Sequence, residues 1–367
     1  MGVPSFPAER IEAQIASILS AWGMAADQVA ITASTMTETD LWGIDSHGLS
    51  MLMMYEDMKA AGRLNVRARP RLVSRTPPIA HLDGDAGLGH PVARMGIDLA
   101  TDLAQEGGVG VVTAENSHHF GAAGVYARRA VDRGCIALVT STSVTCSVVP
   151  TRGAAPVLGT NPIAFAAPAG RNRPFVLDFA TSAAALNKVK VYDFYGRPIP
   201  AGWVIDGQGQ PVTDAGAAMA VLRAATEGGL NPIGGDAQLG GHKGYGLGVL
   251  AQILAGALAG GSFSPVRDRT LGPGDPYRIG HFFLAIDPKA FRRDGQFQAE
   301  VDSVIDTLHE TPPVDPAQPV LVAGDPEAAE RERRLVHGIP VPERLATAIR
   351  EIAGRAGVPF LLGGTGG

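Results

Sequence analysis

The sequence predicts an α/β protein fronted by a helical portion, and three observations carry that reading. Between Ile11 and Ala61 apolar residues recur at helical spacing with no strand pattern among them. From Ile79 onward, short β-branched runs alternate with helical segments. Between Gly110 and Thr140 the alternation condenses into strand, polar turn, helix and strand, which is the pattern of a βαβ unit.

Taken in order, Ile11, Ile15, Ile18, Leu19 and Trp22 mark one helical face, closed by Gly23. A second helix is expected over Ala25 to Leu41, with Val29, Ala33 and Met36 inward. Asp45-Ser46-His47-Gly48 breaks the pattern, and a third helix runs from Leu49 to the stop at Gly62. Ser46 suits its N-cap, which would put His47 in the first helical turn. Pro70 to Pro78 is a proline-rich connection and marks a boundary. A strand follows at Ile79 to Leu82, a helix at Arg94 to Gln105, and the strand Gly110 to Thr113. The helix from Ala122 to Arg133 ends at Gly134, before the strand Cys135 to Thr140. Further strands are expected at Ile163 to Ala167, Phe175 to Asp178 and His281 to Ile286. Gly202 to Asp214 reads as an exposed excursion, and Ser264 to Tyr277 as a polar, mobile loop. A long apolar helix follows Gly244, and helices over Gln298 to His309 and Pro342 to Ala356 flank the turn Gly324-Asp325-Pro326. The tail from Gly363 to Gly367 is expected to be disordered.

Bulk properties narrow the class. A chain of 367 residues supports one large or two closely packed domains with a sizeable core. A net charge of −5 favours neither nucleic acid nor an anionic membrane as partner. Two cysteines, Cys135 and Cys146, exclude a disulfide framework and a cysteine-based metal knuckle. No apolar run suits a signal peptide within Met1 to Arg10, and the longest one, Leu247 to Ala259, is too short to span a bilayer. A cytoplasmic enzyme is the expectation.

The candidate chemistry centres on Asn116-Ser117-His118-His119-Phe120-Gly121, at the carboxyl end of a strand, where open α/β sheets place ligands. His47, His118 and His119 are acid–base candidates, because imidazole exchanges protons near neutrality. Each also has a plain structural reading, as a cap or a packed core group. No G-x-G-x-x-G follows a strand and opens a helix, and no phosphate-binding G-x-x-x-x-G-K-[ST] occurs. The best phosphate cradle is Gly240-Gly241-His242-Lys243-Gly244, where close backbone approach, a lysine and a helix start coincide. Its plain structural reading is a flexible turn with a solvated lysine. Asp178, Thr181 and Ser182 close a strand and suit a ribose or an amide, or a self-contained turn. Nothing has the spacing of a metal site.

Together these segments resemble the malate/L-lactate dehydrogenase-type oxidoreductases, which bind NAD or NADP without a Rossmann fold. The resemblance runs through Asp45-Ser46-His47-Gly48, Asn116 to Gly124, Leu158 to Ile163, Leu177 to Ser182, Gly240 to Leu247 and Gly324-Asp325-Pro326-Glu327. It implies an unusual mixed-sheet NAD(P)-binding domain over residues 77–290. An N-terminal helical part (1–76) carries the Ser-His-Gly motif, and a C-terminal helical part (291–367) packs back on it. A homodimer is implied as well. So is hydride transfer between nicotinamide and a small 2-hydroxy or 2-oxo carboxylate, or alternatively a cyclic ketimine carboxylate such as piperideine-2-carboxylate. His47 and His119 match the proton donors. Ser143, Asp178, Phe179, Ala180, Thr181, His242, Lys243, Gly324 and Asp325 match cofactor contacts, and Ser46, Thr160 and Asn161 line the substrate side. Lys188 matches a further family lysine.

One departure stands out. Many relatives carry arginine four residues after the Ser-His-Gly histidine, where a guanidinium can grip the substrate carboxylate; here that residue is Met51. Losing such a contact costs roughly 1.5–3 kcal/mol. Arg152, within Thr151-Arg152-Gly153 where relatives carry small residues, is the first candidate for a replacement; the alternative is a substrate less anionic or bulkier at that end.

Overall fold

The computed structural model describes residues 3–194 and 196–363; from residue 364 the tail expected to be disordered lies outside them. Strand β1 (Ser5–Phe6) leads into helices α1 (Ala8–Ala21) and α2 (Ala26–Leu41). Asp45 to Gly48 form a turn, Leu49–Met51 a single 3-10 turn, and α3 (Leu52–Ala60) follows. The hairpin β2 (Arg71–Thr76) and β3 (Ile79–Asp83) precedes α4 (Gly89–Gly107), β4 (Val109–Ser117), α5 (Ala123–Val131) and β5 (Ile136–Ser141). A long connection reaches β6 (Ile163–Ala167) and β7 (Phe175–Phe179). Next come α6 (Leu186–Phe194), β8 (Val204–Ile205), α7 (Ala215–Ala224), β9 (Gly229–Leu230) and α8 (Gly241–Ala251), which runs on as a π-helical stretch over Gln252–Leu258. The chain closes with α9 (Ser264–Arg267), β10 (Ile279–Ile286), α10 (Gln296–His309), α11 (Asp325–His337), β11 (Ile339–Pro340) and α12 (Glu343–Ala356).

The main sheet has the order β2-β3-β4-β10-β5-β6-β7. Only β3 and β4 run parallel; every other neighbouring pair is antiparallel. The strand–helix–strand unit expected around residues 110–140 therefore exists in split form. β4 and β5 point the same way, but β10, far later in the chain, lies between them and bonds both. It follows that the carboxyl ends of β3, β4, β5 and β7 share one edge with the amino ends of β6 and β10.

Helices α4 and α5 cover one face of this sheet and bury Val92, Ile97, Leu103, Tyr126 and Ala127 with Leu82, Val112, Val139 and Phe283. Each large aliphatic side chain among them contributes about 1.5–3 kcal/mol. A Cβ at Gly96 would stand 2.5 Å from the Phe283 ring, so glycine lets α4 lie this close to β10. A second core joins α1, α2 and α3 to α12 through Ile11, Ile15, Leu52, Tyr55, Ile349 and Ile352, and β1 pairs with β11. The two chain ends thus build one helical layer.

Five expectations need correction. The excursion at 202–214 is not wholly exposed: Val204 is fully buried, pairs with β9 and shares a third core with Val189, Met219 and Leu222. The apolar helix starts at Gly241, not after Gly244, so His242 and Lys243 stand in its first turn. The loop at 264–277 carries α9, and Asp325 opens α11 rather than completing a turn. Ser46 does not cap α3: Leu49 N–H donates to the buried Asp40 carboxylate (2.8 Å), and the Ser46 hydroxyl meets His47 Nδ1 (2.7 Å) instead. The carboxylate captures the amide that the serine was expected to satisfy. Among the described residues no helix is long and apolar enough to cross a membrane.

Candidate active site

The sheet edge shared by the carboxyl end of β4 and the amino end of β10 meets the helical layer at two half-buried histidines. The rings of His47 and His119 lie 5.4 Å apart, tilted by 31°. His47 comes from the α2–α3 turn. Its backbone is pressed onto Asp40, because a Cβ at Gly48 would collide with that carboxylate. Arg334 of α11 clamps the same turn, pairing with Asp45 and donating to the Asp40 carbonyl (2.7 Å). Burial pushes His47 down to about 4 and the Asp40 carboxyl well above its ordinary range.

His119 stands two residues beyond the end of β4. Its Nδ1 meets the Tyr55 hydroxyl (2.8 Å), and Gly121 N–H donates to the same nitrogen at 3.3 Å. Burial, then the neighbouring imidazoles, hold its pKa well below the usual value. His118, fully buried, points the other way: its Nε2 bonds the Arg63 carbonyl (2.9 Å) and its ring stands edge-on to Tyr277. The adjacent pair therefore splits, as a strand end requires.

Two further histidines, neither evident from the sequence, complete the cluster. His281 of β10 bridges the Ser117 and Ser141 hydroxyls, each at 2.9 Å, and stacks on Phe120 at 4.7 Å. It ties the ends of β4 and β5 together on both sides of the His118–His119 step. His90 lies in the first turn of α4, edge-on to Tyr55, fully buried with both ring nitrogens unpartnered. Burial pushes both down to about 3. Five imidazoles gather here, yet among the described residues no three metal-ligating side chains could hold an ion.

Beside this cluster the edge continues into hydroxyls and amides. Ser143 Oγ accepts from Asn161 N–H (3.1 Å) and meets Thr160 Oγ1 (3.2 Å). Thr181 donates to the Thr160 carbonyl through both its N–H and its hydroxyl. Asn161 Nδ2 donates to the Gly248 carbonyl of α8 (2.9 Å), while its Oδ1 is buried without a partner. Exposed His242 and Lys243 stand at the start of that helix. Asp178, half-buried at the end of β7, accepts Gly124 N–H (2.7 Å) in the first turn of α5, and burial pushes its carboxyl up to about 6. Phe179 and Ala180 follow it, half-buried. Thus Ser143, Thr160, Asn161, Thr181, His242 and Lys243 gather around α8, and Asp178 joins the His119 turn through α5.

Two expected cofactor residues, Gly324 and Asp325, stand apart. Gly324 packs on Pro174 and Val176 at the start of β7, the opposite end of that strand from Asp178. Asp325 accepts Val322 N–H and pairs with His309. Arg152 is exposed, in a turn with φ +71, while Met51 is buried in the helical core. Lys188 lies on α6 with its ammonium 5.1 Å from the Trp203 ring centroid. The residues that sequence reasoning missed were Tyr55, His90 and His281. A tyrosine facing inward from a helix needs a partner for its hydroxyl, and that was the available signal for Tyr55.

The chain matches the malate/L-lactate dehydrogenase family over residues 6–350. It is 35% identical to malate dehydrogenase of Pyrococcus horikoshii, over 97% of this chain and 96% of that protein. To the delta(1)-pyrroline-2-carboxylate reductase of Ancylobacter novellus it is 31% identical, over 92% and 94% respectively. The crystal structure of malate dehydrogenase from Entamoeba histolytica superposes with a TM-score of 0.92 at 28% identity, covering 98% of this chain and 99% of that one.

Proposed function

The chain belongs to the malate/L-lactate dehydrogenase family, and from that premise we propose that it transfers hydride between NAD or NADP and a small 2-hydroxy or 2-oxo carboxylate. The observation that carries the reading is the facing pair His47 and His119 at the sheet edge, because reducing a carbonyl by hydride needs a proton at the same place. The dinucleotide supplies the hydride when bound. The edge residues fit it: Lys243 and the first turn of α8 offer positive charge to a pyrophosphate, and the orphaned Asn161 Oδ1 is an acceptor awaiting a donor such as a carboxamide. Ser143, Asp178, Phe179, Ala180 and Thr181 border the same groove in this reading, with Gly324 and Asp325 more remote. Ser46, Thr160 and Asn161 face the substrate.

Arg152 is our candidate for the cation that Met51 cannot supply. Arg152→Ala should raise KM for 2-oxo acids several-fold, and an unchanged KM sinks that assignment. The exposed apolar residues Leu247, Leu250, Ile253 and Leu258 along α8 and its π-helical extension suit a homodimer contact, to be checked by light scattering. A cytoplasmic location and boundaries at residues 76 and 290 complete the proposal; limited proteolysis tests the boundaries. The pyrroline-carboxylate reductase relative favours a second reading, reduction of a cyclic imine. Oxaloacetate, pyruvate, pyrroline-2-carboxylate and piperideine-2-carboxylate, each assayed with NADH and with NADPH, separate the two. Turnover of none of them contradicts both.

A further inference from the structure

His47 and His119 face each other, but their nitrogens are committed differently. Two groups converge on His119 Nδ1: the Tyr55 hydroxyl at 2.8 Å and the Gly121 amide at 3.3 Å. A backbone N–H can only donate, so Nδ1 keeps its lone pair and the ring proton sits on Nε2. Tyr55 then has one role open to it, as a second donor to that lone pair. Burial raises its pKa further, so it stays a phenol. The groups facing the His119 ring are His47, His90, His118, His281 and Tyr55, and none of them stabilises a second proton there.

An imidazole fixed in this way carries an N–H at Nε2 and no lone pair on that nitrogen. It can hold a carbonyl or alkoxide oxygen by a hydrogen bond, but it cannot receive the proton of an alcohol at Nε2. His47 is under no such constraint. Its Nδ1 meets the half-buried Ser46 hydroxyl, which can either donate or accept.

We propose that Tyr55 is a positioning residue that fixes His119 as a neutral Nε2–H donor to the substrate oxygen, and that His47 alone exchanges the proton. The proposal rests on the dehydrogenase reading above. In the oxidative direction the O–H bond of the hydroxy acid breaks and its proton passes to the ring nitrogen of His47 not engaged by Ser46. The C2–H bond breaks with its electron pair, the hydride passes to the oxidised nicotinamide, and C2=O forms within the hydrogen bond from His119. Reduction returns the same proton from His47 to the alkoxide.

Nitrogen-15 spectra of the histidine-labelled, ligand-free enzyme test the tautomer, with His119 assigned by difference against His119→Gln. The expected result is an Nε2–H ring that does not titrate between pH 6 and 8, and that begins to exchange tautomers in Tyr55→Phe. Kinetics test the division of labour. His119→Gln, whose amide can donate but cannot exchange a proton, should lose about 10–100-fold in kcat and keep the wild-type pH limb. His47→Gln should lose about 10²–10⁴-fold and the limb with it. An Nδ1–H ring, a His119 that titrates near neutrality, or a limb lost with His119→Gln and kept with His47→Gln overturns the proposal. Absence of turnover in the wild type instead contradicts the dehydrogenase reading, while the spectra still decide the tautomer.

Discussion

His47 and His119 nearly touch, yet the chain secures them by opposite means. The His47 turn hangs on charge: Arg334 pairs with Asp45 and Glu330, and the buried Asp40 carboxylate takes the Leu49 amide. The His119 turn hangs on neutral hydrogen bonds and stacking, from Tyr55, Gly121, His281 and Phe120. Buried charges are costly to strand and tolerate no missing partner, whereas a neutral network loses about 1 kcal/mol per bond. The first arrangement suits a ring that must release and regain a proton. The second suits one that must keep its orientation.

The sharpest way to break both sides at once is acid. His47 and His118 fall to about 4, His90 and His281 to about 3, all below the unfolded value of 6.5. The native state therefore binds fewer protons than the unfolded chain below about pH 6.5. Stability is complete above that pH and is lost as the pH falls toward 4, on the order of 3 kcal/mol per histidine. Urea unfolding measured at pH 7, 6 and 5 should show the free energy dropping, with a net uptake of protons on unfolding near pH 5. A flat profile would mean that these rings are not buried neutral.

Arg334→Met separates the two turns. It leaves the exposed Asp45 and the partly exposed Glu330 without their shared partner and should cost about 1.5–3 kcal/mol, with kcat falling alongside. Unchanged thermal stability would show that charge does not hold the His47 turn. Asp178→Asn probes the other side. With a native pKa of about 6 against 3.8 unfolded, Asp178 binds its proton more tightly when folded, so its contribution is best below pH 4 and declines as the pH rises through 6. Asparagine can still accept Gly124 N–H, so the variant should lose that decline and gain on the order of 1–2 kcal/mol at pH 7. Calorimetry across pH 4–7 checks it, and an unaltered pH slope refutes it. Asp40→Asn follows the same logic: it preserves the acceptor for Leu49 N–H and removes a carboxyl that burial pushes well above its ordinary range, so it should be stabilising at pH 7, as read by the urea midpoint.

The contrast also marks how far the sequence could be read. Helices α1 to α3 and strands β3 to β7 and β10 announce themselves through local periodicity, since their burial is set by residues close in the chain. The place of β10 between β4 and β5 was not legible, because a strand inserted from some 140 residues downstream leaves no mark on either neighbour. His47 and His119 could be singled out, but only the resemblance joined them. Tyr55 and His281 stayed hidden because each occupies an inward position on a regular element, where a polar ring reads as core. Ser46 was misjudged for the converse reason: a short-range cap was expected, and Asp40, nine residues before Leu49, took the amide.

In the proposed reaction a proton passes through His47 while hydride passes to C2 of a small 2-oxo acid. Reduced dinucleotide deuterated at C4 tests it in one experiment, with wild type and His47→Ala followed side by side. Deuterium is expected at C2 of the wild-type product, and in the variant a loss of at least about a hundredfold in rate with dinucleotide binding intact by fluorescence quenching. Deuterium transferred equally fast by His47→Ala would contradict it.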